Sequence, residues 1–412
     1  MNLIKLVYGY LRSRPLNTLL NILLLALGIA MITILLLFNK QLKQKISDNT
    51  KGIDLVVGAK GSPLQLILCN IFHIDFPTGN IKLTAADQLA KHRLVKNAIP
   101  MALGDSYQNF RIVGTNHAYA ELYKAELAAG AWWSADFEVV IGSSVAESLS
   151  LILGSTFESA HGLSTDGHAH EESPFIVKGI LKRTNSVLDN LILTNVSSIW
   201  KVHEEPGEGP RAGDSTHHTS VLVPSVSLSD STREITSLLM KYRNPIAAIQ
   251  LPRYINTQTN MQAASPSFEA ARLFSILGVG MDALTAFAYV LIFISALSIF
   301  LALYNSLKER KYDLAIMRSM GASRLKLVMA TQLEGVTLTV MGSLFGIGLG
   351  HGVLYLFSVW VEESQKAGIS AAVFYPEEGY LLAGSFVLGI LCSLIPSFQA
   401  YRTDIHKILA GN

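Results

Sequence analysis

Two cysteines in 412 residues and a charged fraction of only 16% are the scarcities that narrow the reading first. Cys69 falls in the long segment between the first two apolar runs and Cys392 within the last of them, and that separation argues against a disulfide between them. Any exported portion must therefore be held by a packed core. Half of the residues are hydrophobic and the mean hydropathy is +0.35, which excludes an ordinary soluble globular enzyme. No G-x-x-x-x-G-K-[ST] sequence occurs, and Gly58-Ala59-Lys60-Gly61-Ser62 lacks its spacing, so the sequence holds no cradle for nucleotide phosphates. Gly-x-Ser-x-Gly, C-x-x-C and H-E-x-x-H are missing as well, and nothing marks a nucleophile, an enzyme or a nucleic-acid partner.

What is present is four apolar runs. The first, 16–38, is interrupted only by Asn17, Thr18, Asn21 and Thr33; as a helix it covers roughly 35 Å at about 1.5 Å per residue, enough to cross a bilayer. It is too long for a signal-peptide core. Spans at 283–304, 327–360 and 380–400 follow. Lys5, Arg12 and Arg14 precede span one, Lys308, Arg310, Lys311, Arg318, Arg324 and Lys326 lie between spans two and three, and Arg402 and Lys407 follow span four. The loop 361–379 carries Glu362, Glu363, Glu377 and Glu378 against Lys366. Positive residues mark the cytoplasmic side, so residues 1–15, 305–326 and 401–412 are cytoplasmic and 361–379 is extracytoplasmic. The long segment 39–282 then lies outside; Lys40, Lys43 and Lys45 argue weakly the other way, but long loops translocate largely regardless of charge.

Within 39–282, short apolar runs alternate with helical patterns, an α+β composition. Strands are expected at Leu55–Val57, Phe110–Val113, Val139–Ile141, Phe175–Leu181, Leu191–Leu193, Val221–Val223 and Ala247–Ile249. Helices are expected at Thr84–Lys91, with Thr84 and Asp87 as a capping box, at Ala118–Ala129 and at Ser231–Tyr242. Residues 40–51 and 268–282 can continue spans one and two outward as a helical stalk, or serve as a tether weakened by Gly278 and Gly280. The glycine-punctuated apolar run from Asp54 to Asn80 is either a surface for cargo or partner, or a buried strand and loop. Two polar inserts hold His161, His168, His170, His217 and His218 near Glu171 and Glu172. Imidazoles beside carboxylates suit zinc, with His168, His170, His217 and His218 as the ligand set if the inserts meet; solvated loops have the same composition.

The stretch 307–324 is the most informative. Leu314, Ile316, Met317 and Met320 are spaced for one amphipathic helix, with Asp313, Arg318 and Arg324 around it and Gly321 as its stop. Such a helix suits the membrane surface or a partner's groove. The run Glu309-Arg310-Lys311-Tyr312-Asp313-Leu314-Ala315, followed by Met320-Gly321-Ala322, resembles the ERxxEIGxxxAxGA signature of the FtsX/MacB-like (LolC/LolE-type) ABC transporter permeases, with Asp313-Leu314 in place of Glu-Ile. Glu138-Val139-Val140-Ile141-Gly142 and Val177-Lys178-Gly179-Ile180-Leu181 resemble the periplasmic core domain of that family.

The resemblance implies four transmembrane helices with a large α+β domain between helices one and two. It also implies a multi-pass protein of a bacterial inner membrane working as a homo- or heterodimer with a separate ATPase that supplies ATP and Mg chemistry. The helix carrying Glu309, Arg310, Asp313, Leu314, Met317, Arg318, Met320 and Gly321 is then the part that docks the ATPase. Its expected work is lipoprotein or lipid extraction, efflux, or activation of a periplasmic or outer-membrane partner. A metal-responsive sensor is the alternative. Gly342, Gly346 and Gly350 in span three form small-xxx-small pairs that permit close helix packing, within one subunit or between two. Glu334, matching an acidic position of the family's span three, either pairs with a basic residue, snorkels or is functional. His351, deeper in that span, reads as a hydrogen-bonded packing residue.

Overall fold

The computed structural model describes residues 3–161, 174–203, 233–360 and 370–402. They form two compact units, Met1–Lys43 with Ile276–Asn412, and Gln44–Ser275. The chain opens with a short helix, α1 (Leu3–Ser13), set off from α2 (Pro15–Thr50) at Arg14. Pro15 suits the first turn of α2, where its missing N–H is no loss. The helix continues well past the apolar run, because Asn39 to Thr50 contains neither glycine nor proline to end it.

The second unit is built on one mixed sheet. Its strands are β1 (Leu55–Ala59), β3 (Val95–Tyr107), β4 (Phe110–Thr115), β5 (Leu127–Gly130), β6 (Glu138–Ile141), β9 (Phe175–Leu181), β10 (Leu191–Asn195), β12 (Ser237–Tyr242) and β13 (Met261–Ala264). They lie in the order β13-β1-β12-β3-β4-β10-β6-β9-β5. The short strands β7 (Thr156–Phe157) and β8 (Ala160–His161) join β9 and β3, while β2 (Ile81–Lys82) and β11 (Glu234–Ile235) pair separately. Only β10 with β4 and β6 with β9 run parallel; the other pairs are antiparallel.

Because strand side chains alternate between faces, neighbours in sequence serve different cores. Val56, Leu239, Met101, Val113, Val140 and Leu193 line one face across the sheet. Their neighbours Leu55, Val57, Leu238 and Met240 enter a second core, and Ile112, Val139, Ile141 and Ile192 a third. The first face is covered by α3 (Pro63–Asn70) and α5 (His117–Leu122), the other by α4 (Leu83–Ala90) with α8 (Ala247–Gln258), and by α6 (Ser143–Leu149) with α7 (Val196–His203). In β9 the parity changes: Phe175 and Val177 belong to the third core but Leu181 to the first. The register against β6 slips between Val139 and Val140, inserting one residue and switching the faces. Gly179 sits at that slip, where a Cβ would meet the Ala131 carbonyl oxygen at 2.5 Å.

Several local expectations give way to this sheet. Ser237–Tyr242 is a strand rather than the end of a helix; covered on both faces, Leu238, Leu239 and Met240 form an unbroken apolar run whose period says nothing, and pairing between β1 and β3 decides. Ala247–Ile249 is the first turn of α8, not a strand, since Ala247, Leu251 and Ile255 recur at helical spacing on its buried side. The helix expected over Ala118–Ala129 stops at Leu122; Lys124 takes φ 54° and the chain continues into β5. No capping box forms at Thr84, for α4 starts one residue earlier behind Lys82. From Asp54 to Asn80 the chain is largely buried in β1 and α3, with Ile74 and Phe76 exposed beyond them. Val221–Val223 lies outside the described residues.

The chain returns through α9 (Pro266–Glu309), turns into α10 (Lys311–Ser319), and ends in α11 (Arg324–Trp360) and α12 (Pro376–Tyr401). Helices α2, α9, α11 and α12 are each long and apolar enough to cross a membrane. Leu25, Ile29, Ile299, Leu303, Leu338 and Cys392 meet inside the bundle, while Leu27, Phe293, Phe345 and Leu391 face outward, as lipid-facing positions should. Gly342, Gly346 and Gly350 face α2 within the same chain: added Cβ atoms would lie 3.0 Å from Leu25 Cδ2, 2.8 Å from the Ala26 carbonyl oxygen and 2.9 Å from Thr33 Cβ. Gly348 and Gly352 have no such neighbour within 4 Å.

Gly346→Val is therefore expected to cost about 1–3 kcal/mol through forced separation of α11 from α2, and Gly348→Val to be nearly neutral. Thermal unfolding of the detergent-solubilised protein checks this; equal effects at both positions would contradict it. In the other unit, His203 meets Asp105 at 3.4 Å. The hydrogen bond that the imidazole donates to Asp105 raises it above the usual histidine range, against the opposing pull of burial. This contribution is fully present below the unfolded-state value and fades as pH rises through the raised one. The stability lost in His203→Gln should accordingly be larger in mildly acidic than in alkaline buffer, as read by paired melting curves.

Candidate functional site

Where α9 ends, the chain makes a sharp corner that places α10 between two spans. Arg310 occupies the corner with φ −91° and ψ 10°, and Asp313 lies in the first turn of α10, where a negative charge is favoured. The far end closes on Gly321: with φ 93°, it lets Ala322 N–H donate to Met317 O at 3.0 Å while its own N–H donates to Arg318 O at 3.0 Å. Those two bonds satisfy the last carbonyls of the helix and turn the chain into α11, a conformation that a side-chain-bearing residue resists.

Two faces of α10 are distinct. Leu314 and Ala315 are buried, with Leu314 packed among Leu307, Leu327 and Ala400 and Met317 partly buried against them. Tyr312, Ile316 and Met320 are 59%, 39% and 82% exposed. At i, i+4 and i+8 they form one apolar stripe on the opposite side.

Arg310 turns inward. Its guanidinium stacks 3.8 Å from the Tyr10 ring centroid on α1, and its terminal nitrogens donate to Tyr10 O and Ser13 Oγ, both at 3.4 Å. It also pairs with Glu334 of α11 at 3.5 Å, both side chains being nearly buried. Burial pushes the Tyr10 phenol up and the Arg310 charge draws it back. Beside this cluster Arg14 pairs with Glu309. A carboxylate inside a bundle is expensive unless paired, and a guanidinium presents several donors to satisfy it.

The sequence-derived candidates thus take different positions. Glu309 and Arg310 tie the corner to α1 and α11, Leu314 and Met317 anchor the helix, Gly321 turns it, and Asp313 and Met320 are exposed while Arg318 is half-buried. Tyr312 belongs to the exposed stripe but does not stand among those candidates, and neither does Ile316, although its spacing was legible. The part of α1 went unread too, despite Leu3, Leu6, Val7, Tyr10 and Leu11 being spaced at three and four residues. Of the zinc candidates, His168, His170, His217 and His218 lie outside the described residues. Among the described residues no group of three or more His, Cys, Asp or Glu side chains is arranged to hold a metal ion.

Comparison with known proteins bears on both units. Residues 18–241 match the model of the MacB-like periplasmic core domain, and residues 285–405 that of the FtsX-like permease C-terminal domain. Over 127 residues, 31% of the chain, the sequence is 25% identical to the probable syringafactin export ATP-binding/permease protein SyfD of Pseudomonas syringae pv. tomato, covering 18% of it. Over 151 residues it is 22% identical to the uncharacterized ABC transporter permease YknZ of Bacillus subtilis, with 36% of each covered. The aligned regions thus span well under half the length of these relatives. Among solved structures, the periplasmic region of MacB from Actinobacillus actinomycetemcomitans aligns at 14% identity and a TM-score of 0.34, over 56% of this chain and 98% of that one. The extracellular domain of YknZ from Gram-positive bacteria aligns at 14% identity and 0.30, over 52% and 99%.

Removing the guanidinium in Arg310→Ala leaves Glu334 buried and unpaired, with an expected loss of about 3 kcal/mol. Adding Glu334→Gln should recover much of that loss. Unfolding in mixed micelles measures both; an Arg310→Ala protein as stable as the parent would show that the pair holds nothing.

Proposed function

Since the chain belongs to the MacB-like and FtsX-like permeases of ABC transporters, we propose that it is the membrane subunit of such a machine and that α10 receives the stroke of a separate ATPase. The observation that carries this reading is the stripe Tyr312, Ile316 and Met320, an apolar surface on a short helix whose other face is packed into the protein. Residues 1–412 contain no G-x-x-x-x-G-K-[ST] loop, and in this reading ATP hydrolysis is the work of an ATPase distinct from them. The name of SyfD joins an ATP-binding and a permease part in one protein; in this reading the corresponding part acts here from a separate chain.

In this reading nucleotide-driven movement of the ATPase pushes α10. Arg310 passes the displacement to α11 through Glu334 and to α1 through Tyr10, while α9 carries it outward, being helical from Glu309 back to Pro266. Two permeases with two ATPases form the working unit. The cargo stands at the outer face, where the α+β domain acts on a lipoprotein, a lipid, an exported amphiphile or an external partner. A mechanical role agrees with the bundle interior, whose buried polar side chains among the described residues are chiefly hydroxyls and amides, some bonded between helices, such as Ser298 to Asn21 at 2.6 Å and Ser393 to Gln332 at 2.7 Å. No continuous row of charges suggests a conduction path among the described residues.

Ile316→Glu and Arg318→Glu should each reduce ATPase co-purification and stimulated ATP hydrolysis on the order of tenfold or more while leaving the melting temperature near that of the parent. Leu314→Ala should instead lower stability. ATPase binding undiminished by both charge changes would remove α10 as the docking element and leave the membrane surface as the site of its apolar stripe.

A further inference from the structure

At the extracytoplasmic rim of the bundle lies a second buried ionisable pair that the proposed stroke does not use. His351 of α11 places Nδ1 2.6 Å from the Ala371 carbonyl oxygen and Nε2 3.1 Å from Oε2 of Glu378, in the first turn of α12. Its ring stacks on Phe374 at 4.3 Å, and the side chains of His351 and Glu378 are only 11% and 7% exposed.

A carbonyl oxygen can only accept, so Nδ1 carries hydrogen. Nε2 then faces a carboxylate oxygen. That approach is attractive only with one more proton between them, whether on the imidazole or on the carboxyl group. Without it a nitrogen lone pair confronts an anion. The contact is therefore attractive only in a state in which the pair as a whole holds one proton.

We propose that His351 and Glu378 form a proton-binding latch, closed while the shared proton is present, that fastens the connection before α12 to α11 and α2. The surrounding bonds show what it fastens. Glu378 Oε1 accepts from Tyr375 N–H at 3.0 Å. Ser370 exchanges two hydrogen bonds of 2.8 Å with the side-chain amide of Gln41 on α2. Lys40 of α2 pairs with Glu377 at 2.5 Å and lies 4.7 Å over the Tyr375 ring. Among the described residues, the charged and titratable groups that face the pair from the packed elements are Lys40 from α2, Glu377 from α12 and Tyr375 from the connection. Loss of the proton makes the His351 contact repulsive and frees residues 370–375, with their hold on Gln41. Since α2 continues to Thr50, the latch lets the acidity outside the cell set the stiffness of the helix that leads into the external unit.

The test uses the full chain in proteoliposomes with a spin label at Ala372→Cys, an exposed position. Both native cysteines are buried and are left in place. Spectra are taken from about pH 5 to about pH 9, the range over which histidine charge changes most readily. The expected result is an immobile label in acid and a mobile one in alkali, with a single-proton transition. His351→Gln supplies an amide donor to Glu378 at every pH, and Glu378→Gln a donor to neutral His351; each should abolish the transition and keep the label immobile. Parent mobility that stays flat across the range, or a transition that survives in either variant, overturns the latch.

Discussion

The pairing of Arg310 with Glu334 is the contact on which the arrangement of the cytoplasmic face depends. A carboxylate in a membrane-spanning helix is unfavourable unless a cation reaches it, and the cation comes from the corner residue between α9 and α10. In reaching inward, Arg310 fixes where α10 begins and gathers α1 by stacking on Tyr10. The hydrophobic period of α10 then does the rest. With its start fixed, Leu314 and Ala315 fall against Leu307, Leu327 and Ala400, so that Tyr312, Ile316 and Met320 point away. A buried ion pair adds little net stability, but breaking it is costly, and that asymmetry suits the joint that the proposed stroke requires.

The external unit answers to a different constraint. With only a buried, unpaired cysteine at Cys69 in that unit, it draws cohesion from a sheet covered on both faces. Strand alternation distributes residues such as Leu238, Leu239 and Met240 among separate cores, and the slip at Gly179 lets β9 serve two of them. Within the bundle, where hydrophobicity cannot drive helices together, close approach replaces it: glycines of α11 admit the backbone of α2.

Much of this was legible in the residues. The four apolar runs, the buried strands with β-branched cores and the amphipathic stretch after Leu307 all carry local signals strong enough to read. The misreadings share a cause. Ser237–Tyr242 and Ala247–Ile249 are short apolar runs whose period is ambiguous, and sheet pairing or a longer helical stripe resolves them only in three dimensions. Arg310 was legible as part of a signature but its target was not, because Glu334 lies 24 positions on and meets it only through the corner. Likewise Leu314 and Ile316 look equivalent in sequence; which one faces inward follows from how Arg310 and Gly321 bracket the helix.

The outward stripe of α10 is proposed as the surface on which an ATPase acts. Photocrosslinking in native membranes tests it most directly, with a photoreactive amino acid placed singly at 312, 316, 320 and, as a control, 314. A nucleotide-dependent product with an ATP-binding protein is expected from the first three positions, and only intrachain products from 314. Crosslinks to lipid alone from the stripe, or an ATPase product from 314 but not from 316, would contradict it.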